Sequence, residues 1–263
     1  MIYRIDSFTE NNINPVTNYE YDSSWVVLML TDSDKYQKLV GSQNGCTYTV
    51  KISRAKCKDW IMAVGDFISF YKKQSKNAIL VMSETDYTAV QTHYKGHSYN
   101  DSFLRENEPA VLIHSTPINN WKQIKQDGAL KSWNKLKSEK AIFEEIPIGA
   151  QLGDPSDFSD YIMFGSGITC EIILNSKQKR EIIMDADSEY ITGARLYFDA
   201  EKIAKAGLLI RDGCHLKVKD TLPLTPYLVW TATWDNIGLE NQTSTPRIFS
   251  ERADITFNNL FKK

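Results

Sequence analysis

The chain lacks the features that announce an electrostatic or a membrane partner. Its 31 Lys and Arg stand against 33 Asp and Glu, for a formal net charge of -2, so no strong overall field draws it to nucleic acid or to an anionic bilayer. No run approaches the ~20 apolar residues that span a membrane. No basic-then-apolar leader opens the sequence, and a cytoplasmic protein without membrane contact is expected. Cysteine is sparse: Cys46, Cys57, Cys170 and Cys214 are scattered without CxxC or other ligand spacing, which predicts four reduced thiols and no metal site. Internal repeats and low-complexity tracts are missing. So are a Walker loop, GxGxxG, HExxH and GxSxG, and with them the motif basis for P-loop, Rossmann, zinc-protease and serine-hydrolase chemistry.

What is present is enough chain for a full core: 263 residues, 42% of them apolar, a length that favours two domains. The first hundred residues read mostly as strand. Residues 24–30 form a short apolar run with β-branched and aromatic members, suited to a strand buried on both faces. Gln43-Asn44-Gly45-Cys46 supplies an Asn-Gly turn, after which Cys46, Tyr48, Val50 and Ile52 alternate with polar residues, a hairpin signal. Further strands are expected at 66–71 and 78–82, joined by a polar turn. Composition turns polar between 83 and 108, which places a boundary near 106 and gives a β-rich domain at 1–106 followed by a second domain at 107–263.

The second domain mixes strands with a few helices. Residues 118–127 carry Ile118, Trp121 and Ile124 along one edge and end at Gly128; residues 199–206 have Asp199 as N-cap and Gly207 past the end. The lysine-rich stretch 131–140 reads as a solvated helix face or loop. Strands are expected at 161–164, 169–174, 181–184, 195–198, 215–218 and 227–234. The overall class is α+β rather than doubly wound.

Candidate site residues cluster at strand ends. Val111-Leu112-Ile113-His114-Ser115-Thr116 is an apolar run that ends in a histidine and two hydroxyls just ahead of a helix start, a place where an oxygen-rich ligand such as a nucleotide can be held. A strand-end histidine is also readily satisfied by backbone. Tyr161 offers a flat face for stacking, or a core ring. Arg195, Arg211 and His215 sit at turn-to-strand junctions, where an arginine fork suits a phosphate or a surface carboxylate. Glu171 and Asp254 lie in strand-like contexts. Either can serve a developing cation or an attacking hydroxyl, or be a solvated strand-face residue.

The second half resembles the ADP-ribosyltransferase fold, in particular the NAD-using RNA 2′-phosphotransferases and the DNA-targeting ADP-ribosyltransferase toxins. The resemblance is carried by Ile113-His114-Ser115-Thr116 with Trp121, Ile124, Gly128 and Leu130. It is carried also by Ser159-Asp160-Tyr161-Ile162-Met163-Phe164, and by Leu196-Tyr197-Phe198-Asp199 through Gly207 and Gly213-Cys214-His215-Leu216-Lys217 to Leu222-Pro223. Arg252-Ala253-Asp254 is similar to the late acidic element of the toxins. The resemblance implies a split pair of small sheets with NAD, as substrate, in the cleft between them. His114, Ser115, Thr116, Tyr161, Arg211 and His215 are then expected to contact NAD, and Glu171, Asp254 and Arg195 to carry catalysis. It implies transfer of ADP-ribose to a nucleic acid, nucleotide phosphate or protein acceptor; a toxin or anti-defence factor is a further expectation, compatible with transfer or with binding alone. A non-catalytic protein that binds a nucleotide or a partner is the competing expectation, and 1–106 is left as an accessory domain.

Overall fold

The structure, a computed structural model, describes all residues except 8–10, 44–46, 95–98, 143, 145, 152, 153, 155, 262 and 263. It is a mixed α+β protein whose chain divides into two units. One contains Met1–Asp101 with Ile210–Leu216, and the other Ser102–Leu152, Ser156–Leu209 and Lys217–Lys263.

In the first unit, strands β1 (Ile2–Ile5), β2 (Trp25–Thr31), β3 (Lys38–Gln43), β4 (Thr47–Ser53) and β5 (Asn77–Val81) form one sheet in the order β1-β5-β2-β4-β3. All neighbours are parallel except the edge pair β3–β4. A parallel sheet needs cover on both faces, hence the unbroken apolar run of β2, in which Val26, Val27 and Leu28 are buried. The expected hairpin is seen in the antiparallel register that runs out to Gln43 and Thr47; its Asn44-Gly45 turn and Cys46 lie outside the described residues.

The second expected hairpin is corrected. Residues 66–71 belong to helix α1 (Trp60–Lys73), because Ala63, Val64, Phe67, Phe70 and Tyr71 recur at helical spacing and are buried together. A six-residue window around Phe67 is too short to separate that period from a strand. Helix α2 (Glu84–His93) likewise occupies a stretch read as polar linker. It starts where the Ser83 hydroxyl accepts from the Asp86 N–H at 3.1 Å. The first unit is therefore a helix-covered sheet, not a purely β-rich domain.

The second unit begins with β6 (Val111–Thr116), α3 (Ile118–Asp127), β7 (Ala129–Lys131), α4 (Trp133–Ser138), α5 (Ile148–Gln151) and β8 (Tyr161–Phe164). It continues through α6 (Thr169–Lys179), β9 (Tyr190–Ile191), β10 (Ala194–Asp199) and α7 (Ala200–Lys205). After β11 (Ile210–Arg211), which groups with the first unit, come β12 (Leu216–Lys219), β13 (Thr221–Pro223), β14 (Leu228–Ala232), β15 (Thr243–Ser244) and α8 (Pro246–Phe261). The main sheet is antiparallel, in the order β14-β10-β6, and smaller ladders pair β13 with β7 and β15 with β9. Helices α3 and α7 fall where the sequence puts them: Gly128 takes φ 67 past α3, and the Asp199 carboxylate caps α7 through the Lys202 N–H at 2.9 Å.

Two expected strands are corrected. Residues 169–174 open helix α6, whose Cys170, Glu171, Leu174 and Asn175 are buried at i, i+1, i+4, i+5 spacing, and 181–184 are not in a strand. Asp254 likewise sits on a helix, α8. The core against which α6 and α8 pack comprises Ile113, Cys170, Leu174, Tyr190, Tyr197, Ala232, Phe249, Ala253 and Phe257. Tyr197 stacks on Phe257, ring centroids 4.4 Å apart.

Candidate functional site

Antiparallel pairing sets Arg195 of β10 opposite Ser115 of β6, and Tyr197 opposite Ile113. Side chains alternate along a strand, so Ser115, Arg195 and Tyr197 share the face that α6 and α8 cover, while His114 and Thr116 point to the other. The polar trio at the end of β6 is thereby divided between the two faces of the sheet.

On the helix-covered face, five elements bring their polar side chains together. The Ser115 hydroxyl donates to Oε1 of Glu171, which also accepts from Nη1 of Arg195 at 3.3 Å; Oε2 accepts from the Tyr190 hydroxyl at 2.6 Å. Arg195 goes on to donate from Nε to the Tyr197 hydroxyl at 2.9 Å and from Nη2 to the Gly167 carbonyl at 2.9 Å. Its Nη2 also reaches both oxygens of Asp254, at 3.0 and 3.2 Å. Tyr197 donates to Oδ1 of Asp254 at 2.7 Å. The three residues expected to be catalytic, Glu171, Arg195 and Asp254, thus form one hydrogen-bonded network, with Ser115 at its β6 end.

Its members differ in access to water. The side chains of Arg195 and Glu171 are 0% exposed, whereas that of Asp254 is 37% exposed. Burial works against the Arg195 charge, but Tyr197, Glu171 and Asp254 outweigh it and hold its pKa above the usual value. Burial, reinforced by Glu171, pushes the Tyr190 hydroxyl up, and burial does the same to Tyr197. Both tyrosines are therefore neutral donors at any ordinary pH. Cys170 donates its thiol to the Ile113 carbonyl at 3.3 Å, and burial raises it to about 12, which leaves it no nucleophile.

The other expected contacts are placed elsewhere. His114, half-buried, pairs Nδ1 with the Met163 carbonyl at 3.0 Å, and burial lowers it to about 4, so the ring is neutral near pH 7. A neutral ring that donates from Nδ1 leaves Nε2 as an acceptor. Thr116 is buried, and Gly193 lies against its carbonyl. Tyr161 is a core ring, 7% exposed, with the buried Lys217 ammonium 4.4 Å from its centre. That cation occupies a face otherwise offered to a ligand. Arg211 and His215 belong to the first unit: Arg211 is buried and donates to the Asp101 carbonyl at 3.2 Å, and His215 pairs with the buried Asp212 at 3.2 Å.

Sequence reasoning missed Tyr197 and Tyr190. Tyr197 was within reach, since a residue two positions from Arg195 on one strand shares its face; nothing local marked Tyr190. No group of three or more His, Cys, Asp and Glu among the described residues is placed to hold a metal ion, and no helix among them is long and apolar enough to cross a membrane. In comparisons with known proteins, the chain matches no family model, no curated protein and no solved structure.

Proposed function

We propose that the second unit cleaves NAD and transfers its ADP-ribose to an acceptor, which is a nucleic acid, a nucleotide phosphate or a protein. The observation that supports this reading is the convergence of Ser115, Glu171, Arg195 and Asp254, from four separate elements, on one hydrogen-bonded cluster. In the reaction, the bond from ribose C1′ to the nicotinamide nitrogen breaks and its electron pair leaves with neutral nicotinamide. The cationic ribose is met by a lone pair of the acceptor, whose proton passes to a carboxylate. Asp254 suits that carboxylate because part of it faces solvent. Glu171 and Arg195, wholly buried, act as positioning residues that fix Asp254 and Ser115 in place. On the opposite face, the Nε2 acceptor of His114 suits a ribose hydroxyl.

A second reading, a nucleotide-binding or partner-binding protein without catalysis, is favoured by the same burial, because every group of Arg195 is engaged inside the protein. A toxin or anti-defence role is compatible with both. Incubation with nicotinamide-labelled NAD and a panel of DNA, RNA and protein acceptors separates them. Released nicotinamide, lost in Asp254→Asn, is the expected result. Tight NAD binding with no release across the panel overturns the transferase in favour of the binder.

A further inference from the structure

The segment 118–140 departs from the charge balance of the chain. It holds six lysines against two carboxylates, Asp127 and Glu139, in a protein whose formal net charge is -2. Both carboxylates are engaged within the segment. Lys131 of β7 reaches Asp127 at the end of α3 at 3.0 Å and Glu139 just past α4 at 2.7 Å, and Lys135 pairs with Glu139 at 3.2 Å. With the Gln123 amide donating to Asp127 at 2.8 Å, these bonds run without a break from α3 across β7 to α4, so the lysines beside them share one surface. Lys122, Lys125 and Lys140 are exposed. Lys122 Nζ lies 3.5 Å from the Asn119 side-chain oxygen and Lys125 Nζ 5.4 Å from the centre of the Trp121 ring, so neither charge meets a carboxylate among the described residues. Of the acidic residues in neighbouring segments, Asp160 accepts from the Asn134 amide at 2.7 Å and Asp220 has Lys219 beside it in the chain.

The rest of this surface narrows the choice of partner. Its large apolar side chains, Ile118, Trp121, Ile124, Leu130, Trp133 and Leu136, are all buried or half-buried. A helix that lies on an anionic bilayer is held by apolar side chains that enter the acyl boundary, and a protein partner is held by an apolar anchor. Neither is offered here. What α3 does expose is Asn119, Asn120, Lys122, Gln123, Lys125 and Gln126, the residue types that hold the phosphates of a nucleic acid. On α4, Trp133 is half-buried and the Lys137 ammonium stands 4.9 Å from its ring centre. A cation and a partly exposed indole at one spot suit a strand whose bases are unpaired, since stacking adds to phosphate contact there.

We propose that the outer side of α3, β7 and α4 is a binding surface for single-stranded nucleic acid, with Lys122, Lys125 and Lys140 on phosphates and Trp133 under a base. The inference does not rest on the transferase reading, and binding is read without NAD. The test is fluorescence anisotropy of a labelled single-stranded oligonucleotide of ~15 nucleotides titrated with the full chain. Three or four lysines on phosphates give a slope of about -2 to -3 in log K against log salt, so affinity falls roughly 20- to 50-fold between ~50 and ~200 mM salt. Lys122→Glu with Lys125→Glu weakens binding about 10-fold or more. Both residues are exposed, so the melting temperature stays where it was. Lys72→Glu with Lys73→Glu, an exposed pair at the end of α1 in the other unit, changes the net charge equally and leaves binding as it is. The proposal is overturned by any of four results: no saturable binding up to ~100 μM protein at low salt, binding indifferent to the changes at 122 and 125, equal weakening by the pair at 72 and 73, or tighter binding to the same sequence as a duplex or to anionic lipid vesicles.

Discussion

Ser115 and Arg195 face each other across the β6–β10 ladder, and both donate to the same atom, Oε1 of Glu171. One carboxylate oxygen thus ties helix α6 to two strands of the main sheet. Tyr190 closes the other oxygen, and Arg195 extends the network to Asp254 on α8. A fully buried carboxylate beside a fully buried guanidinium is tolerated only because nearly every lone pair and N–H is matched, so Glu171 and Arg195 stand or fall together.

Loss of one partner is therefore costly. Arg195→Met leaves Glu171 buried without its cation and is expected to destabilise the protein by about 3–5 kcal/mol. Glu171→Gln keeps the shape but removes the charge that Arg195 faces. Urea unfolding of the two single variants and the double variant forms a cycle in which the double loses clearly less than the sum. Additive losses would show that the two side chains contribute independently.

Asp254 separates catalysis from folding. Being partly exposed, it loses little on conversion to Asn, about 1 kcal/mol for a weakened surface-edge pair. Under the transferase reading, nicotinamide release nevertheless falls about 100-fold or more, the scale on which a positioned acid or base contributes. Measuring both on the same preparation is decisive for the assignment: release undiminished in Asp254→Asn removes this residue from the chemistry.

Gly193 has a purely steric task. A Cβ there would stand 2.0 Å from the Thr116 carbonyl oxygen and 3.0 Å from Leu174 Cδ2, so the β6 end and the start of β10 approach as closely as they do only with hydrogen at that position. Gly193→Ala is expected to cost about 3 kcal/mol or to shift β10 away from β6, dragging Arg195 off Ser115. At Gly128 the same substitution meets nothing within 4 Å and carries only the strain of φ 67, about 1 kcal/mol. Thermal melts that rank the two variants alike would refute the close-approach argument.

The parts of this fold legible in sequence are those with a local cause. Helix α3 ends at Gly128 and α7 begins at Asp199 because a left-handed cap and an N-cap carboxylate act within a few residues. The misread segments, 66–71 and 169–174, are short windows in which β-branched and aromatic residues mimic a strand while the helical period shows only over three turns. At the site, residue type singled out Glu171, Arg195 and Asp254, but only the long-range pairing of β6 with β10 and the docking of α6 and α8 could say that they meet. The same pairing divides Ser115 from His114, a separation that strand alternation alone foretells once β6 is accepted as a strand. That Arg211 and His215 group with the first unit had no local signal at all.

His114 should report its environment through pH. Burial first, with the Lys177 charge adding and the Met163 carbonyl opposing, lowers the folded pKa to about 4 from 6.5. Between those values the unfolded chain binds a proton that the folded protein refuses, so protonation favours unfolding. The contribution is fully present above pH 6.5 and is lost as pH falls toward 4, with a limiting slope of about 1.4 kcal/mol per pH unit. His114→Gln carries no titrating group, and its stability lacks this component. Between pH 7.5 and 4.5 the native protein should therefore lose about 2–3 kcal/mol more than the variant in urea unfolding. Carboxylates that titrate in the same range affect both proteins equally and cancel in the difference. Parallel curves would mean that the imidazole is open to water and titrates near its ordinary value, which would remove the neutral Nε2 acceptor on which its assignment to a ribose hydroxyl depends.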